Sequence, residues 1–133
     1  MEMLNRSAVI VKPRQPYLEW IRRDDAEGLA DTVFETLHTE PTVYLLPEYE
    51  DPSTQREVLE ELWPALFEAM LAGWVTDEAL WPKNRTVEMF REWFEVQMSS
   101  VVQDLHVDEP LEYFDKPRSL KEIMGRLVGR VFG

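Results

Sequence analysis

Arg85-Thr-Val-Glu-Met-Phe-Arg-Glu-Trp-Phe-Glu-Val-Gln-Met-Ser-Ser-Val-Val-Gln-Asp-Leu105 is the stretch on which the architecture turns. Val87, Phe90, Trp93, Phe94, Met98, Val101 and Leu105 recur at three- and four-residue steps with Glu88, Glu92 and Glu95 opposite, which predicts a long helix over residues 85–105. A helix over residues 52–72 precedes it. Asp51 can cap its free N–H groups, Pro52 suits the first helical position, and Val58, Leu59, Leu62, Trp63, Leu66, Phe67, Met70 and Leu71 form its apolar stripe. Glu57, Glu60, Glu61 and Glu68 point to water, and Gly73 reads as the C-cap. Pro64 removes a backbone donor and crowds the carbonyl of Glu60, predicting a kink or two helices meeting. After it, Thr76 caps a short turn that Pro82 stops behind Trp81.

Toward the N-terminus the pattern changes. Ser-Ala-Val-Ile-Val from position 7, closed by Pro13 and Pro16, predicts a strand over residues 7–12. Thr-Val-Tyr-Leu-Leu between Pro41 and Pro47 predicts a second over residues 42–47. Tyr17, Trp20 and Ile21, then Leu29, Val33, Phe34 and Leu37 after Gly28, place helix between them, with strand direction left open. Two strands alone are marginal in water, so a third comes from residues 111–114 or another copy of the chain, or the pair rests on helices. The fold class is α+β, mostly helical, with two short strands packed on two long helices in a single domain over residues 1–105.

Residues 106–117 read as an acidic connector with two prolines. Ser119-Leu-Lys-Glu122 then forms a capping box before Ile123, Met124, Leu127, Val128 and Val131, which predicts an amphipathic helix over residues 119–132. Arg118, Lys121, Arg126 and Arg130 against Glu122 give residues 118–133 a charge of +3, whereas the first 117 residues, with ten basic and 25 acidic groups, carry −15. That segregation suits docking of the tail on its own domain or on a second subunit. A basic amphipathic helix can also lie on an anionic membrane, but the acidic body opposes this.

At 133 residues, with 44% hydrophobic and 30% charged side chains, one folded core is expected. A net charge of −12 repels phosphate backbones and anionic lipid, arguing against nucleic acid and membrane as ligands and favouring a basic protein partner. No apolar run approaches the ~20 residues of a membrane span and the first residues lack a secretory apolar region, so a cytoplasmic location is expected. The absence of cysteine excludes disulfides, thiolate nucleophiles and cysteine-ligated zinc. No glycine-rich phosphate loop occurs.

The strings Asn5-Arg-Ser-Ala-Val-Ile-Val11, Pro41-Thr-Val-Tyr-Leu-Leu-Pro47, Gly73-Trp74, Trp81-Pro-Lys-Asn-Arg-Thr86 and Trp93-Phe94 follow one another in fixed order. Over roughly residues 4–105 the chain resembles a family of small acidic uncharacterised bacterial proteins. The resemblance implies no activity and supplies no catalytic residues, and the basic tail is an addition to it.

Few groups carry reactive chemistry. Glu35 and His38 have the Glu-x-x-His spacing of di-iron bundles, but the motif occurs once where two copies are needed. Glu48, Glu50 and Asp51 could offer oxygen ligands to a divalent ion at a strand-to-helix turn, though without the EF-hand order. His106 lies near Asp108 and Glu109, and Ser99-Ser100 has no nucleophile frame. No catalytic residue and no cofactor is assigned. Trp74, Trp81 and Trp93, with Trp81 expected at a rim, and Arg126 and Arg130 are the candidates for protein contact. These features favour a non-enzymatic acidic module that regulates, adapts or inhibits a basic partner. The alternatives are a metal-dependent enzyme using the acidic cluster at 48–51, or a homo-oligomer, a dimer in the simplest case, in which strands pair between copies.

Overall fold

A computed structural model describes residues 2–113, so the tail helix expected over 119–132 lies outside the described residues. The central strand is β2 (Arg6–Pro13), flanked antiparallel by β3 (Val43–Pro47) and β4 (Phe94–Ser99) in the order β3-β2-β4. Between β2 and β3 the chain forms α1 (Gln15–Arg22) and α2 (Ala30–Thr39). The two expected strands are therefore present and antiparallel, and the α+β class holds.

Helix α3 (Gln55–Trp74) runs unbroken through Pro64. It is entered by a short turn (Pro52–Thr54) that Asp51 caps, its carboxylate accepting the Ser53 N–H at 2.9 Å. That hydrogen bond holds the Asp51 carboxyl below the usual aspartate range. At the far end α3 passes Gly73 and stops at Trp74, with Val75 extended. The next turn (Glu78–Leu80) is capped by Asp77 rather than Thr76, the Asp77 carboxylate accepting the Ala79 N–H at 3.0 Å.

The second long helix expected over residues 85–105 is the main correction. Thr86 does cap a helix, accepting the Met89 N–H at 3.1 Å, but this helix, α4, spans only Val87–Trp93. Phe94 turns extended and the chain becomes β4, supplying the third strand that residues 111–114 or a second copy were expected to give. The physical reason is a double periodicity. Phe94 and Met98 are four apart, as a helix requires, yet Phe94, Val96 and Met98 also alternate with Glu95, Gln97 and Ser99, and sheet pairing with β2 decides between the two. The domain thus packs its sheet on one long helix and three shorter ones.

Antiparallel register puts opposed residues on the same face. Val9 lies between Tyr44 and Met98, and Val11 opposite Val96, on the face that meets the helices. Val9 and Val11 join Tyr17, Ile21, Val33, Leu37, Leu66, Phe67, Met70, Leu71, Phe90 and Phe94 in one buried cluster. Phe67 sits at its aromatic centre, its ring centroid 5.8 Å from Phe90, 5.5 Å from Trp93 and 5.3 Å from Phe94. The Tyr17 hydroxyl donates to the Met70 carbonyl at 2.9 Å, tying α1 to α3.

Candidate functional site

Among the described residues the helices cover only one side of the sheet. On the other, register places Val43 opposite Ile10 opposite Gln97, and Leu45 opposite Ala8 opposite Ser99, with Lys12 opposite Glu95 beyond them. None of Ala8, Ile10, Val43 or Leu45 belongs to the core cluster or packs against it. Val43 is 55% exposed and Leu45 48% exposed, and β3 is an edge strand. Among the described residues the open apolar part of this face is therefore Val43 and Leu45 on β3, with Ile10 half-buried and Ala8 buried beside them on β2, and the half built by β4 is polar.

The patch has a neighbour. Strands β1 (Glu2–Met3) and β5 (Gln103–Asp104) pair antiparallel and continue the β2–β4 ladder into a two-stranded arm. Met3 opposes Gln103 and Ala8 opposes Ser99, so five steps on one strand run against four on the other, one extra residue as in a β-bulge. At this junction the Ser7 hydroxyl accepts the Tyr49 N–H at 3.0 Å and donates to the Ser100 carbonyl at 3.0 Å, so one buried side chain joins three segments. Met3 on the arm, and Val101, Leu105, Val107, Leu111 and Tyr113 on and beyond it, are exposed. Among the described residues every exposed large hydrophobic except Leu80 lies on β3 or in this arm and the stretch after it. Soluble monomers rarely gather apolar side chains in this way without a use for them.

The aromatic candidates lie elsewhere. Trp74 and Trp81 are buried in the core cluster and Trp93 packs half-buried against it. Trp81, expected at a rim, is turned inward because its indole N–H donates to the Val75 carbonyl at 2.8 Å and the Arg85 guanidinium stacks 5.8 Å from its ring. Trp20, not singled out from the sequence, closes the same corner by donating to the Leu80 carbonyl at 3.3 Å. Arg126 and Arg130 lie outside the described residues.

The acidic and histidine candidates stay apart. No three His, Asp or Glu side chains gather among the described residues as a metal ion would need. Glu35 and His38 sit exposed on α2, where His38 Nδ1 lies 2.8 Å from the Phe34 carbonyl. Glu48 and Glu50 are exposed on either side of buried Tyr49, and Asp51 is engaged as a cap. His106 Nε2 is 3.1 Å from Glu109 Oε2, both side chains three-quarters exposed, in a pair open to water. Burial raises the Tyr17 hydroxyl far above its ordinary range and pushes Tyr44 up to about 12, so both stay neutral structural groups at physiological pH.

One groove adds basic chemistry. About 410 Å³ in volume, it lies between α3, α4 and β4 and is lined by Gln55, Arg56, Leu59, Arg91, Val96 and Met98. Arg56 Nε and Arg91 Nη2 approach the same Glu60 oxygen at 3.6 Å and 3.9 Å. No helix among the described residues is long and apolar enough to cross a membrane. Comparison with protein-family models, curated proteins and solved structures finds no match for this chain.

Ile10, Val43 and Leu45 are the surface residues that sequence reasoning missed. For Val43 and Leu45 the signal was present in residues 42–47, where apolar side chains occupy both phases of a strand's alternation: such a run marks a strand covered on both faces, and the described helices cover only one.

Proposed function

We propose that this protein is a non-enzymatic, acidic protein-binding module of the cytoplasm, a regulator, adaptor or inhibitor that engages a basic partner through the uncovered face of its sheet. The observation that carries the reading is the gathering of exposed apolar side chains at Val43, Leu45 and the neighbouring arm, beside polar β4. An apolar centre with a polar border is the usual anatomy of a protein interface. The charge of −12 adds long-range attraction for a basic surface, which raises association rate and makes it salt-sensitive. Aromatic groups supply the core in this reading, and the contact energy comes from aliphatic side chains.

Capture from native lysate at low and at high salt, with the protein and its Leu45→Ser variant as parallel baits, tests the proposal. The expected result is a basic protein held by the parent, released by salt and held several-fold less by the variant. Enrichment of nothing at either salt, or equal capture by both baits, overturns it.

A further inference from the structure

We propose that residues 118–133 of this same chain seat on the uncovered face of the sheet, along Ile10, Val43 and Leu45. The face and the segment match in four independent respects.

The first is size. A strand of five or six residues is about 17–20 Å long, and a helix over residues 119–132 would be about 21 Å long, so one helix spans the face. The second is composition. Ile123, Leu127 and Val131 recur every four residues, with Met124 and Val128 beside them, an apolar stripe wide enough for exposed Val43 and Leu45 and half-buried Ile10. The third is charge. The segment carries +3 against −15 on the remainder of the chain, and Glu40 and Glu48 lie just beyond the ends of β3, while Glu95 on β4 faces Lys12. The fourth is reach. Tyr113 ends the described chain nine residues past Asp104 of the arm that extends this sheet, and the six residues from there to Ser119 cover up to roughly 20 Å when extended.

Seating the segment there gives the sheet helix on both faces and buries the apolar side chains that the helices of the core leave open. It also places the chain's own basic stripe on the surface proposed for a basic partner, so a partner must displace it. The inference does not rest on that partner: a tail that only completes the fold would occupy the same face.

The chain contains no cysteine, so an engineered pair reports a single contact. The full chain carrying Leu45→Cys and Leu127→Cys, oxidised at low protein concentration, is expected to form a disulfide within the monomer, because a tail seated on this face brings the two side chains together often enough to meet the ~4.4–6.8 Å Cα separation that the bond requires. Val43→Cys with Leu127→Cys reads the same face should the first pair fold poorly, and tryptophan fluorescence of the reduced proteins checks the fold. Leu80→Cys with Leu127→Cys is the control, since Leu80 is exposed away from the face. Monomeric cross-linking at least tenfold more efficient at position 45 or 43 than at 80 supports the inference. A disulfide-linked dimer assigns the face to a second copy and overturns it. Equal linking at all three positions, or none at 43 and 45, overturns it as well. The cross-link is read on purified protein alone, so its failure and the failure of the lysate capture are separate results.

Discussion

Val9 and Ile10 are neighbours on the central strand, yet they inhabit different environments. Val9 is fully buried in the cluster that joins the helices, whereas Ile10 faces Val43 and Gln97 on a surface that no described helix covers. A one-residue step along β2 separates the side of the molecule that holds the fold together from the side available to something else. Stability and recognition are therefore carried by opposite faces of one small sheet and should respond independently to mutation.

The largest effect is expected on the helix-covered side. Phe67→Ala removes the ring shared by Phe90, Trp93 and Phe94, and is expected to cost about 3–5 kcal/mol, much of the stability of an ordinary domain. Denaturant unfolding measures it, and a variant as stable as the parent would break the contrast between the faces. Tyr17→Phe on the same side removes one hydrogen bond to the Met70 carbonyl and is expected to cost about 1 kcal/mol. It also carries a pH signature. The folded state raises the Tyr17 pKa, so its stabilising contribution is complete below the unfolded value near 10 and is lost as pH rises beyond it. The parent should therefore weaken above about pH 10, and Tyr17→Phe should weaken less steeply there. On the open face, Leu45→Ser is expected to cost about 1 kcal/mol, well below Phe67→Ala, while losing partner capture. A large loss of stability from that substitution would mean that the two faces are not separable.

Much of this architecture could be read from the sequence. Helix α3 was legible because eight apolar positions, from Val58 to Leu71, keep helical steps over nearly four turns and Asp51 with Pro52 marks the start; packing of Leu66, Phe67, Met70 and Leu71 carries it across Pro64. Strands β2 and β3 were legible from β-branched runs between prolines. Residues 94–99 were not, because Glu95 and Gln97 are good helix formers and the apolar positions fit both periods; only pairing with β2, far away in sequence, distinguishes them. The candidate surface was obscured for a related reason. Tryptophans at helical spacing drew attention, but in a domain of this size large rings are needed inside, and the exposed aliphatic residues of β3 resemble core residues until the position of the helices is known.

The pairing of Glu2 and Met3 with Asp104 and Gln103 has a practical consequence. Trimming the opening residues would strip Gln103 and Asp104 of their ladder partners, although these lie about a hundred positions away, and would open the two-stranded arm. A fusion attached ahead of Glu2 would therefore sit beside Asp104.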